Sequence, residues 1–94
     1  MRFEWDDSKA SQNLVKHGVP FEYAIRVFLD MTRVEFEDAR KNYGEDRRVT
    51  LGVIDGRLHV VTYTLRQESI RLISARKANA RERRRYEKLS TRSR

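Results

Sequence analysis

Arg66 and Arg76 stand at the ends of two predicted strands, Lys77 follows directly, and the cluster Arg81, Arg83, Arg84 and Arg85 comes next on a predicted helix. Permanent positive charge set beside strands and aromatic residues could converge on a phosphodiester. Cleaving RNA without a metal requires three things: a deprotonated 2′-hydroxyl, stabilisation of the extra charge on the pentacoordinate phosphorane, and protonation of the departing 5′-oxygen. Arginine suits the second task, because its fork offers paired donors, and its fixed charge makes it a poor base. The proton-moving tasks would fall to a histidine, a lysine of depressed pKa, a carboxylate or a tyrosine, for which His17, Lys77, Glu45 and Tyr86 are the candidates. Arg48, Tyr63, Arg81, Arg84 and Tyr86 are candidate RNA-binding positions.

Each candidate also has a plain structural reading. A basic face on a terminal helix is commonly just solvated or meets an acidic partner. His17 lies in the last turn of a predicted helix, where a partial positive charge is favoured by the helix dipole alone. Phe3 and Trp5 read as core, Tyr63 is balanced between packing and RNA contact, and Glu45 could simply pair with Arg47 or Arg48.

Other chemistries find little footing. His17 and His59 lie far apart in the chain with no accompanying ligand cluster, so no metal site is expected. No Gly-x-Ser-x-Gly elbow occurs, and glycines at 18, 44, 52 and 56 build no phosphate cradle, so no cofactor is expected. Zero cysteines removes disulfides, thiolate metal sites and a cysteine nucleophile.

The elements that must position these residues fit one small domain. Ninety-four residues, 37% charged and 38% apolar, leave room for a single core. Twenty-one basic and 14 acidic residues give +7. Met1 to Ala75 holds 12 of each sign, and all of the excess lies from Arg76 to Arg94, with 9 basic against 2 acidic. Such asymmetry points to a polyanion or an acidic partner. No apolar run reaches the roughly 18 residues of a membrane span, and the charged start lacks a signal-peptide core; the expectation is a cytoplasmic protein with no membrane association.

Arg2 to Trp5 reads as a short strand. Asp6, Asp7 and Ser8 offer capping and first-turn chemistry, and Ala10, Leu14 and Val15 form a weak apolar stripe before Gly18, predicting a helix from about Asp7 to His17. Pro20 suits a first helical position, and Phe21, Ala24, Ile25, Phe28 and Leu29 have core-facing spacing, predicting a second helix. Arg33 to Glu37 is a strand candidate, followed by a polar loop, Asp38 to Asp46. Arg47 to Ile54 and Arg57 to Leu65 flank Asp55 and Gly56, a strong hairpin signal in which paired numbers sum to 111. Val49, Leu51 and Val53 then share an apolar face with Thr62, Val60 and Leu58, and the opposite face, with Arg48, Tyr63 and His59, reads as more polar. A last strand, about Ser69 to Arg76, precedes a helix opened by the Asn79 and Glu82 capping box and running to about Leu89. Residues 1–89 are expected to form the domain and 90–94 a flexible basic tail. The class is α+β: two N-terminal helices and a C-terminal helix packed with a three- to five-stranded antiparallel sheet.

Taken in order, the residues resemble the BrnT toxins of type II toxin–antitoxin systems. The matching stretches are Phe3-Glu4-Trp5-Asp6 with Lys9 and Asn13, Lys16-His17-Gly18-Val19-Pro20-Phe21, and Ala24, Val27, Phe28 and Asp30. They continue with Gly44-Glu45 and Arg47, Gly52, Tyr63-Thr64 with Arg66, and Ile70 to Arg76 leading to Glu82 and Tyr86, covering roughly residues 2 to 88. The resemblance implies a RelE-like ribonuclease fold and a toxin that blocks translation and arrests growth by metal-independent RNA cleavage. It also implies a cognate BrnA-like antitoxin that neutralises the toxin, assembles with it as a 2:2 heterotetramer, and supplies contact with operator DNA. Carried over to matching positions, Arg66 and Arg76 lead as catalytic or phosphate-binding residues, with His17, Glu45 and Lys77 behind them. Two competing readings are a non-catalytic basic RNA-binding module and an interaction domain docking an acidic partner.

Overall fold

The computed structural model describes residues 1–38 and 46–92. Strand β1 (Arg2–Glu4) leads into helix α1 (Asp7–His17), a single turn of helix α2 (Phe21–Ala24) and a 3₁₀ segment, Ile25–Leu29. Four strands follow, β2 (Val34–Glu37), β3 (Arg47–Ile54), β4 (Arg57–Arg66) and β5 (Ser69–Lys77), and helix α3 (Ala80–Arg92) ends the described chain.

The strands form one sheet in the order β1-β5-β4-β3-β2. The β3–β4 register is the one the Asp55-Gly56 turn dictates, with Val49 opposite Thr62, Leu51 opposite Val60 and Val53 opposite Leu58. Both turn residues take positive φ, 50° and 77°, as a two-residue primed turn needs. The sheet is mixed, whereas an antiparallel one was expected. β1 runs parallel to β5, pairing Phe3 with Ile70, and Arg71 donates to Glu4 across the pair at 2.8 Å. No tight turn joins these two strands, so chain connectivity does not force an antiparallel pairing.

The second helix departs from its expected form. Only Phe21–Ala24 is α-helical, and the fully buried positions are Phe21, Ala24 and Val27, while Leu29 is 77% exposed. A spacing of three is the 3₁₀ period, in which i and i+3 stack in line. The segment approaches β3 closely: a Cβ on Gly52 would lie 2.5 Å from Val27 Cγ2. In α1 only Ala10 of the predicted stripe packs against the core, since Leu14 and Val15 are 49% and 90% exposed and the one buried residue is Asn13. Its ends match expectation, with Asp6 accepting from the Ser8 and Lys9 amides and Gly18 closing the helix at φ 72°.

The sheet is covered on both faces. Val49, Leu51, Leu58 and Val60 form one core with Ala78, against which Tyr86 of α3 packs. The face expected to be polar carries the larger core: Val61, Tyr63, Leu72 and Ala75 pack on Phe21, Ala24 and Val27. Strand alternation alone cannot tell which face meets solvent when helices cover both.

Side chains complete the ladder where strands outrun their neighbours. β2 pairs no further than Leu51, and Asp30 accepts the Val53 N–H at 2.8 Å. The same carboxylate accepts from Thr32 and from the Tyr86 hydroxyl, joining α3 to the sheet edge. Burial pushes the Asp30 carboxyl up, but these donors outweigh it and hold it below the usual range. Helix α3 continues past the expected stop near Leu89: Ser90, assigned to the tail from sequence, is 5% exposed and donates to the Thr32 carbonyl at 2.8 Å. No helix among the described residues is long and apolar enough to cross a membrane.

Candidate functional site

The site is built around the end of β5. Between Leu72 and Ser74 the β4–β5 register shifts, because Tyr63 faces Leu72 while Thr62 faces Ser74, leaving Ile73 as an extra residue. A bulge of this kind bends a strand and re-aims its side chains. Beyond it, Ala75 and Lys77 project to the α1–α2 face, and Ser74 and Arg76 to the α3 face.

Arg76 meets α3 head-on. Its Nη1 and Nη2 donate to Glu82 Oε1 and Oε2 at 2.8 and 2.7 Å, a bidentate fork. Glu82 is itself held by the expected capping box, accepting from the Asn79 amide while its own amide donates to Asn79 Oδ1. The Arg76 hydrogen bond is the main influence holding the Glu82 carboxyl below its ordinary range, so Glu82 stays ionised.

Two hollows adjoin at Ser74. One, of about 280 Å³, lies between the sheet and α3 and is lined by Thr62, Ser74, Arg76, Glu82 and Arg85. The other, of about 250 Å³, lies against α1 and is lined by Lys9, Lys16, His17, Arg47 and Ser74. Together their walls carry five cations, Lys9, Lys16, Arg47, Arg76 and Arg85, and one carboxylate, Glu82. Such a surface attracts anions. Partial burial, and then the charges of Lys16 and Arg76, lower the His17 pKa, so the imidazole is neutral near pH 7 and able to accept a proton.

The expected site residues are divided by this geometry. Arg76 and His17 line adjoining hollows, near enough for the Arg76 charge to act on the His17 ring. Arg66 projects from the same face as Arg76, but lies six residues along β4 from Val60, the partner of Arg76. That separation is about 20 Å at strand rise, too far for both side chains to grip one phosphate. Lys77 faces the opposite side of the sheet from Arg76, because consecutive strand residues alternate. Glu45 lies outside the described residues.

The expected RNA contacts divide as well. Tyr63 is 3% exposed, and its hydroxyl donates to Glu35 at 2.8 Å. Burial, followed by the Glu35 carboxylate, pushes its pKa up to about 12, so it belongs to the core and not to an RNA surface. Tyr86 is engaged by Asp30 and Thr32 as part of the packing of α3. Arg48 pairs with Asp46 at 3.2 Å. Arg81 and Arg84 are exposed on α3, but the helix presents Glu82 and Arg85 to the hollow instead.

The sequence reading gave no site role to Asn13, Lys9, Lys16, Arg47 or Ser74, and took Arg85 only as part of the basic cluster on the last helix. A signal was available for some of them: Lys9, Gln12, Asn13 and Lys16 recur at i, i+3, i+4 and i+7, a polar stripe on one helix face. Among the described residues no group of three or more His, Asp or Glu side chains is arranged to hold a metal ion.

Residues 5–82 of the 94 match a family described as ribonuclease toxin, BrnT, of type II toxin-antitoxin system. No curated protein matches the chain.

Proposed function

The chain belongs to the BrnT family of ribonuclease toxins from type II toxin–antitoxin systems, and we propose that it cuts RNA in the groove where α1, β5 and α3 meet. The observation that carries this reading is the convergence of a fork-held Arg76 and a neutral His17 on adjoining, cation-lined hollows.

In the reaction, His17 takes the proton of the 2′-hydroxyl as its oxygen attacks phosphorus. The Arg76 guanidinium stabilises the phosphorane, competing with Glu82 for the same fork. The P–O5′ bond then breaks, leaving a 2′,3′-cyclic phosphate, and the 5′-oxygen takes a proton from an ammonium group of the groove, Lys9 or Lys16. Arg66, about 20 Å along the strand, holds a more distant phosphate of the same RNA and does not act at the cleaved bond.

Membership of a type II system implies a protein antitoxin. We propose a BrnA-like antitoxin in a 2:2 complex that neutralises the toxin and alone contacts operator DNA, with the toxin acting in the cytoplasm to block translation. The RelE-like relationship belongs to the same proposal, supported by the helix-covered five-stranded sheet.

The test is direct. Purified chain incubated with RNA in the presence of a chelator is expected to yield fragments ending in cyclic phosphate, and Arg76→Ala to lower the rate roughly 100-fold or more while remaining folded. Intact RNA bound with a steep salt dependence would replace this reading with that of a binding module. Undiminished cleavage by Arg76→Ala would remove Arg76 from the site.

A further inference from the structure

On the other face of the β5 end, across from Arg76, lies a separate hollow of about 410 Å³. The α1–α2 junction supplies Val19 and Pro20 and α2 supplies Tyr23, so much of the wall is apolar or aromatic. Arg57, Lys77 and His59 complete it. His59 and Lys77 are direct cross-strand partners and therefore project to the same face. Neither Lys77 nor Arg57 has an ion-pair partner among the described residues.

His59 is the unusual member. It is 2% exposed, edge-on to Tyr23 with ring centroids 5.7 Å apart, and its Nδ1 lies 2.8 Å from the Arg57 carbonyl oxygen. A carbonyl can only accept, so Nδ1 carries the hydrogen. Burial is the largest influence on its pKa and, with Lys77 and Arg57, lowers it against the opposing pull of the Arg57 carbonyl and Asp55, so the ring is neutral near pH 7. Nε2 is then a bare lone pair, with no hydrogen-bond partner among the described residues. Nε2 is not fully enclosed, and as part of a ring lining the hollow it is open to a donor from water or from a ligand.

The three chemistries correspond to the parts of one ligand. Apolar and aromatic walls suit a flat ring, the Nε2 lone pair suits an amino group on that ring, and the two unpaired cations suit a phosphate. The hollow opens on the opposite sheet face from the groove but shares its chain segments: Gly18 follows His17 and Lys77 follows Arg76, at about 3.8 Å between consecutive Cα atoms. We propose that this hollow is a nucleotide subsite, holding the base and phosphate of an RNA residue that flanks the cleaved bond and preferring a base with an exocyclic amino group. Cytosine presents that amino group where uracil presents a carbonyl oxygen, which would set acceptor against acceptor. The role as an RNA subsite rests on the ribonuclease reading; the pocket's capacity for a nucleotide does not.

The experiment is therefore a binding measurement that needs no cleavage. The full chain, labelled with nitrogen-15, is titrated with CMP and with UMP while the His59 ring nitrogens and the Tyr23 and Lys77 amides are followed. CMP is expected to shift these signals saturably and to move the Nε2 resonance as it accepts a hydrogen bond, with UMP at least about fivefold weaker. Lys77→Ala, at an exposed strand end, is expected to keep the native spectrum and weaken CMP by a similar factor. Equal binding of CMP and UMP, shifts confined to the His17 and Arg76 side, or no shift at millimolar CMP would each overturn the proposal. CMP binding here by a chain that leaves RNA intact would support the pocket and count against the cleavage reading alone.

Discussion

The side-chain amide of Asn13 takes both backbone polar groups of Ala75: Oδ1 accepts the Ala75 N–H at 3.0 Å, and Nδ2 donates to the Ala75 carbonyl at 2.9 Å. Nδ2 also donates to the Val19 carbonyl at 2.9 Å. β1 pairs with β5 no further than Arg71, so the outer edge of β5 would otherwise carry unpaired buried groups at Ala75. One amide thus stands in for a missing strand, and it fixes the backbone next to Arg76.

Replacing Asn13 by alanine removes these partners together. Leaving buried backbone groups unsatisfied costs about 1–3 kcal/mol each, so Asn13→Ala is expected to lose about 2–4 kcal/mol. Urea unfolding measures this, and a loss under about 0.5 kcal/mol would show that water or a backbone shift replaces the amide. In the folded fraction, RNA cleavage should fall as well, because Arg76 loses its fixed base.

Glu82 both caps α3 and holds Arg76, and Glu82→Gln separates the two roles. Glutamine retains the capping hydrogen bonds but gives up the charge-assisted fork. With one negative charge fewer in the groove, RNA should bind more tightly, while the turnover rate should fall about tenfold because the guanidinium is less well oriented. Single-turnover kinetics across RNA concentrations distinguish these effects; a variant that changes neither would confine Glu82 to capping.

His17 sets the acid side of the pH–rate profile. A general base works in its neutral form, and this imidazole is shifted down from the ordinary value of 6.5 by burial, Lys16 and Arg76. Cleavage should therefore rise with pH through a midpoint below 6.5 and then level off. His17→Ala should abolish that limb and lower the plateau by about 100-fold or more. An unchanged profile in the variant would move the base elsewhere.

Gly52 allows the 3₁₀ segment to lie on β3. A methyl group there would meet Val27 Cγ2 at 2.5 Å and the Val27 carbonyl at 3.1 Å. Gly52→Ala is expected to destabilise by about 1–3 kcal/mol through overpacking. Combining it with Val27→Ala should cost less than the sum of the single changes, since the clash is shared. Strict additivity in thermal unfolding would place the strain in the backbone instead.

Much of the local architecture was legible in the residues. Asp6 before α1 and Gly18 after it, Asp55-Gly56 between β3 and β4, and Asn79 with Glu82 at the start of α3 all act within a few positions of the chain. Covalent geometry and short loops leave such contacts few alternatives. The order of motifs likewise identified the family from sequence alone, whereas the charge excess after Ala75 accounts for only Arg76 and Arg85 of the five cations lining the groove.

What those residues do together was decided by contacts across long stretches of chain. The sequence contains both Arg66 and Arg76, but only the β4–β5 register sets them at opposite ends of the sheet, and only the packing of α1 on β5 puts His17 in a hollow adjoining that of Arg76. Tyr63 and Val61 sit on a face whose alternation reads as polar, and they are buried because α2 and the 3₁₀ segment cover that face. Asn13 looks like any polar position on a helix until β5 runs past β1 and leaves an edge for it to complete. In each case pattern determines which groups share a face of one element, while only packing between elements determines which face is covered and which distant groups meet.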